Sequence, residues 1–133
     1  MTDTPAKKGI ILLVDDDKFL LDMYGMKFSQ GGYTVEACMS ANEALGILRG
    51  GFLPDVLLFD LTMPELDGFT FLKALSDEHL ATNSIKIALT NQSDESEKAK
   101  ALEMGASRYI VKASMIPSEV VNTVGEELAK HHA

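Results

Sequence analysis

Two kinds of apolar pattern alternate along the chain: short runs of strand length, and stretches where apolar residues return every three or four positions. Residues 10–14, Ile-Ile-Leu-Leu-Val, predict a buried first strand. Phe19, Met23 and Met26 then recur at helical spacing, and Gly31-Gly32 predicts the stop of that helix. Residues 33–38 predict a second strand with Val35 and Ala37 on alternate positions. Ser40 and Glu43 form a Ser-x-x-Glu capping box, opening a helix with Ala44, Leu45 and Leu48 that closes at Gly50-Gly51. Pro54 precedes a third strand, residues 56–59, whose unbroken apolar character suits cover on both faces. The loop 61–68 carries the turn signals Pro64 and Asp67-Gly68, and a short helix with Phe69, Leu72 and Leu75 follows. Residues 85–89 predict the fourth strand, and Ser93 is the expected N-cap of a polar helix with Ala99 and Leu102 inward and Gly105 at its end. Residues 109–111 predict the fifth strand, and Pro117 starts a last helix with Val121, Val124 and Leu128 on one side. Residues 1–8 are expected to be flexible, as are the last three, with one domain over 9–130 and no output domain after the fifth helix.

Five strand–helix units in succession predict an α/β fold, a parallel sheet with helices on both faces. In such a sheet function gathers beyond the carboxyl ends of the strands, near the point where strand order reverses. The 133 residues suffice for one domain with a real core, and 46% hydrophobic with 24% charged residues excludes a disordered or fibrous chain. No apolar run reaches the roughly 18 residues of a membrane span, and the first eight residues lack the apolar centre of a signal peptide, so a cytoplasmic location without membrane contact is expected. Cys38 is the only cysteine, which excludes an internal disulfide and a thiolate cluster and leaves a small buried hydrophobe. Twenty acidic against twelve basic residues leave a net charge of −8, which repels phosphate backbones and argues against direct nucleic-acid binding. The informative carboxylates are those at strand ends.

The first strand runs into Asp15-Asp16-Asp17, the third into Asp60, the fourth into Thr90 and the fifth into Lys112. One polar strand end means little, since strands must meet solvent somewhere. Carboxylates, a hydroxyl and a lysine delivered to the same rim mean more. Crowded carboxylates repel, so protons or a cation must intervene. Mg²⁺ takes a few oxygen ligands and leaves room for water and phosphate oxygens, which suits a partly open acidic pocket. A carboxylate can also act as a nucleophile and hold a phosphoryl group as an acyl phosphate. Transfer needs positive charge on the equatorial oxygens, which a divalent cation and the Lys112 ammonium can supply, with the Thr90 hydroxyl as a further contact.

The runs Ile11-Leu12-Leu13-Val14-Asp15-Asp16, Leu58-Phe59-Asp60-Leu61-Thr62-Met63-Pro64-Glu65-Leu66-Asp67-Gly68, Ala88-Leu89-Thr90 and Tyr109-Ile110-Val111-Lys112 occur in this order and spacing. Together they resemble the receiver domain of two-component response regulators, of the chemotaxis-regulator-like kind. The resemblance covers nearly the whole chain, and its Asp-x-x-Met-Pro-x-x-Asp-Gly segment is specific by itself. It implies a flavodoxin-like doubly wound sheet of five strands ordered 2-1-3-4-5 with five helices, an order known from a member of this family. It further implies Asp60 as the phosphoacceptor and also a metal residue, Asp16 as a direct Mg²⁺ ligand with Asp15 acting through water, and the backbone carbonyl of Thr62 as a metal ligand. By the same resemblance Thr90 is the switch hydroxyl, Lys112 grips the phosphoryl group, and Tyr109 is the aromatic that turns inward on activation. A histidine kinase or phosphotransfer protein would supply the phosphoryl group, and a protein effector would read the face made by helix four, strand five and helix five.

The chain departs from the family at Ala113, where proline, often after a cis bond, commonly follows the lysine. A cis bond before a non-proline residue costs about 2.5–4 kcal/mol. The loop must therefore hold that bond under strain or take a trans path that shifts Lys112. Several other residues have plain structural readings: Asp17 as a helix cap, Asp67 and Gly68 as turn formers, His79, His131 and His132 as surface residues, and the methionines as core filling. Two rival readings fit the residues less well. A haloacid-dehalogenase-type phosphatase needs an acid two residues after the nucleophile, where Thr62 stands, and room for a cap domain. A receiver-like interaction module without phosphorylation fits poorly with the intact set Asp15, Asp16, Asp60, Thr90 and Lys112.

Overall fold

Strands and helices alternate without exception in the computed structural model, which describes residues 8–132. The order is β1 (Ile10–Val14), α1 (Lys18–Gln30), β2 (Thr34–Cys38), α2 (Ala41–Arg49), β3 (Val56–Asp60), α3 (Gly68–Asp77), β4 (Ile85–Thr90), α4 (Glu95–Glu103), β5 (Arg108–Val111) and α5 (Pro117–His132), with a short 3-10 turn, Lys112–Ser114, after β5. Every neighbouring pair is parallel, and the order across the sheet is β2-β1-β3-β4-β5, the doubly wound arrangement that the family resemblance implies.

Strand periodicity splits the core in two. Leu12 and Val14 of β1, Leu57 and Phe59 of β3 and Ala88 of β4 point to one face, where they pack on Ala44, Leu45 and Leu48 of α2, Phe71, Leu72 and Leu75 of α3, and Ala101 of α4. The intervening residues, Ile11 and Leu13, Val56 and Leu58, Ile87 and Leu89, point to the other face, against Leu21, Tyr24 and Phe28 of α1 and Val120, Val124 and Leu128 of α5. β3 is buried at all five positions, as a central strand covered on both sides must be. Full burial of one such side chain contributes about 1.5–3 kcal/mol, so these paired faces dominate stability.

Helix starts follow local capping chemistry. Asp17, Ser40, Asp67 and Asp94 accept backbone N–H bonds from Leu20, Glu43, Thr70 and both Ser96 and Glu97, respectively. The fourth cap corrects the expectation of Ser93: Asp94 is one residue further on and also accepts the Ser96 hydroxyl at 2.7 Å. An ionised acceptor makes the stronger bond of the two candidates.

Four inward faces also differ from the sequence reading. Phe19 and Met26 of α1 are 76% and 59% exposed, and the helix instead buries Leu21, Tyr24 and Phe28. On α4 both Ala99 and Leu102 face solvent and Ala101 is inside. On β2, an edge strand, Ala37 is exposed and Val35 half-buried. On α5, Val120 is fully buried beside Val124 and Leu128, while Val121 is only half-buried. At the ends of the described chain, α5 continues through His132, and Lys8 donates its backbone N–H to Gly32 and holds its ammonium 5.9 Å from the Tyr33 ring centroid. The remainder of the expected flexible N-terminus, residues 1–7, lies outside the described residues, as does Ala133. Among the described residues no helix is long and apolar enough to cross a membrane. Cys38 is fully buried and burial pushes its thiol up to about 12, which leaves it inert.

Candidate functional site

Register brings the strand ends level. Val14 pairs with Phe59, so the next residues, Asp15 and Asp60, emerge side by side from the two central strands. Asp60 pairs with Leu89, and Thr90 with Val111, so Thr90 and Lys112 follow within a residue on the same rim. The acids flank the boundary between β1 and β3, where the chain winds away in opposite directions.

Asp15 and Asp60 are held by the same device. Each carboxylate uses Oδ1 to accept the backbone N–H two residues on, Asp17 at 2.9 Å and Thr62 at 3.0 Å. Each uses Oδ2 to accept from Lys112, whose Nζ lies 2.8 Å from Asp15 and 3.0 Å from Asp60. All three side chains are buried. Asp16 is exposed and enters none of the side-chain hydrogen bonds or ion pairs among the described residues, yet its carboxylate joins those of Asp15 and Asp60 in a set of oxygens within 4.8 Å of one another. Three hard oxygen donors at that spacing, one of them open to solvent, are a donor set that fits Mg²⁺. Thr62 is exposed, and its N–H is engaged by Asp60.

Burial acts on both signs of charge here, with different results. For Asp60 the desolvation of the carboxylate outweighs the Thr62 N–H and the Lys112 ammonium, and with Asp15 adding repulsion its pKa lies above the ordinary value. For Lys112 burial works against the charge, but the hydrogen bonds and attraction of two carboxylates prevail and hold its pKa above the ordinary value. Two buried carboxylates thus share one ammonium. The site carries excess negative charge, which a further cation would relieve.

Ala113 does not displace the lysine. There is no cis peptide bond among the described residues, and the 3-10 turn Lys112–Ser114 takes a trans path that still delivers Nζ to both acids.

Thr90 is buried, and its hydroxyl donates to the carbonyl of Gln92 at 3.2 Å. The Tyr109 hydroxyl donates to the same carbonyl at 3.3 Å, its ring half-buried against the face that holds α3 and α4. One main-chain oxygen therefore joins the two side chains.

A model of the response regulator receiver domain matches residues 11–124. The chain belongs to the response regulator receiver family. Response regulator SaeR of Staphylococcus epidermidis is 32% identical over 120 residues, covering 90% of this chain and 50% of its own length. SaeR of Staphylococcus aureus is 30% identical over 125 residues, covering 92% of this chain and 53% of its own. The chain thus spans about half the length of the curated relatives it matches. Among solved structures, a CheY-like receiver domain protein from Methanospirillum hungatei superposes with a TM-score of 0.83 at 28% identity, covering 96% of this chain and 97% of that one. The receiver domain of a Francisella response regulator gives 0.81 at 27% identity, with 94% and 99% covered. Receivers are signalling domains of two-component systems.

Three contributors to this receiver's site were not visible as such in the sequence. The Gln92 carbonyl is one, because a backbone oxygen carries no sequence signal. Gly68 is another. It stands at the start of α3 with ordinary φ, but a Cβ there would come 2.7 Å from the Asp60 carbonyl oxygen and from Leu61 Cα. The glycine is needed for close approach, and the Gly68 N–H donates to the Leu61 carbonyl at 2.9 Å. Gly68→Ala is expected to cost about 1–3 kcal/mol by overpacking this joint. Urea unfolding with an unchanged midpoint would show that the joint has slack.

The third is Tyr24, buried on α1 in the core between that helix and the sheet. Burial raises its pKa most. Lys112 lowers it, and Asp15 and Asp60 raise it further. The signal was a tyrosine among the apolar residues of α1, masked by reading Phe19, Met23 and Met26 as the inner face.

Proposed function

We propose that residues 9–130 form one receiver domain that accepts a phosphoryl group on Asp60 and switches a partner-binding face. The observation that carries this reading is the Lys112 ammonium shared by Asp15 and Asp60, with Asp16 open beside them. An Asp60 carboxylate oxygen attacks phosphorus, and the bond from phosphorus to the donor's leaving atom breaks as the new P–O bond forms. Lys112 is already in contact with the nucleophile, so its charge can pass to a phosphoryl oxygen without a long movement. The Thr62 N–H on Oδ1 orients the carboxylate. Asp16 directly, Asp15 through water, and the Thr62 carbonyl would hold Mg²⁺, which when bound supplies positive charge for the phosphoryl oxygens. The donor is a histidine kinase or phosphotransfer protein. Phosphorylation and its reversal are chemistry of the domain's own residues. The cytoplasm, where a lone thiol such as Cys38 stays reduced, is the setting this reading takes.

Incubation with Mg²⁺ and acetyl phosphate should add one phosphoryl group to the intact mass. A protein that stays unmodified, or that turns over phosphate esters as substrates, would be a binding module or a phosphatase instead.

The output follows from Thr90 and Tyr109. Reaching a phosphoryl oxygen takes the Thr90 hydroxyl away from the Gln92 carbonyl, which alters the support that Tyr109 shares. Tyr109 then turns inward, and the face of α4, β5 and α5 presents a changed surface to a protein effector. The ligand shifts this equilibrium only by its differential affinity for the two states, so partial activation without phosphate is allowed. Beryllofluoride with Mg²⁺ is expected to move NMR shifts or amide exchange across residues 90–115. Changes limited to Asp15, Asp16 and Asp60 would leave phosphate binding without a switch.

A further inference from the structure

α4 has little to hold it in place. It reads Glu-Ser-Glu-Lys-Ala-Lys-Ala-Leu-Glu, and Ala101 is its one buried residue. A second attachment comes from a charged side chain: the Lys100 ammonium sits 4.4 Å from the centroid of the Phe69 ring. Lys100 enters none of the ion pairs among the described residues, so an aromatic face, and not a carboxylate, is its partner. The ring itself is firmly seated, half-buried against the core that contains Phe59, Phe71 and Ala101.

The position of Phe69 gives this contact its interest. Phe69 directly follows Gly68, whose backbone stands hard against the carbonyl of Asp60 and the Cα of Leu61. Gly68 has no Cβ to separate the two backbones, and the Leu61 side chain closes the same space. A movement of the main chain at Asp60 and Leu61 is therefore passed to the first turn of α3, and so to the ring under Lys100. A cation–π contact holds within about 6 Å of the ring centroid, so a ring shift of about 2 Å takes the ammonium to the edge of its range.

We propose that Lys100 and Phe69 form a latch that clamps α4 to α3 and relays the state of the Asp60 loop to α4, in parallel with Thr90 and Tyr109. The relay rests on the switch reading above; the clamp does not. The pair makes the position of α4 depend on one surface charge over one ring, where a larger apolar face would have fixed it.

The test uses the full chain with Lys100→Met, which keeps an apolar stem without the charge, and Lys100→Arg, which keeps the charge. Without beryllofluoride, the amides of α4 in Lys100→Met should exchange about two- to fivefold faster than in the wild type, the worth of one exposed cation–π contact. Lys100→Arg should exchange like the wild type, and the sheet amides should be unaltered in both. Equal α4 exchange in Lys100→Met and the wild type, or no rescue by arginine, would overturn the clamp. With beryllofluoride and Mg²⁺, Lys100→Met should keep the shifts at Thr90 and Tyr109 and lose part of the response of α4. An undiminished α4 response in that variant overturns the relay alone. A wild-type α4 that stays silent while Asp15, Asp16 and Asp60 respond overturns the switch reading and the relay with it.

Discussion

Asp60→Asn is expected to abolish phosphorylation, leaving the intact mass unchanged after Mg²⁺ and acetyl phosphate. The amide keeps the shape and can still accept the Thr62 N–H, but it lacks the charge that makes the oxygen a nucleophile. A phosphoryl group persisting on the variant would move the acceptor to another residue. The same substitution is expected to stabilise the fold at neutral pH. Asp60 ionises less readily folded than unfolded, because burial and then Asp15 penalise its charge, so the ionised form costs stability above its folded pKa. As pH falls through that pKa the carboxyl takes up a proton, and the penalty is gone below the unfolded value of 3.8. Asparagine removes the penalty and leaves Lys112 paired with Asp15. The gain should appear as a higher Tm at pH 7 that shrinks to nothing in acid. A variant less stable than the wild type at pH 7 would mean that the bond from Lys112 outweighs the burial.

Asp16→Ala is expected to lose Mg²⁺ binding and phosphorylation together while leaving the fold intact. Asp16 is exposed and unpartnered among the described residues, so stability should change by less than about 0.5 kcal/mol. Loss of a direct ligand should weaken Mg²⁺ by no less than the roughly 10–100-fold typical of outer-shell partners. Titration with Mg²⁺ followed by NMR, with and without beryllofluoride, reads this directly. Near-normal Mg²⁺ affinity in the variant would show that Asp15 and Asp60 carry the site without it. The contrast with Asp60→Asn is informative: one variant lacks the nucleophile, the other lacks the ligand, and both remain folded.

The strand–helix alternation, the parallel sheet and the identity of the strand-end residues were legible in the sequence, because strand runs and motif spacings are local properties. Asp15, Asp60, Thr90 and Lys112 fall at the ends of the runs that make β1, β3, β4 and β5, so the register had only to bring them level. The inner face of α1 was not legible. Phe19, Leu20, Leu21, Met23, Tyr24, Met26 and Phe28 surround that helix with apolar residues, and several stripes satisfy its period equally. Contact with Leu13, Leu58 and α5 selects Leu21, Tyr24 and Phe28, and so turns a tyrosine inward. The fourth cap was ambiguous for a similar reason, since Ser93 and Asp94 are both capping residues one step apart.

Other features belong to the tertiary structure alone. The sharing of Lys112 between two buried carboxylates depends on side chains 97 and 52 residues away in the chain. The meeting of Thr90 and Tyr109 on one carbonyl, the bare contact of Gly68 with Asp60, and the seat of Lys100 on Phe69 are likewise contacts between different elements. The sequence by itself determined which elements form and which chemical groups end the strands. Only packing decided which faces turn inward and which charges meet, because burial and pairing energies depend on neighbours that the chain brings together from afar.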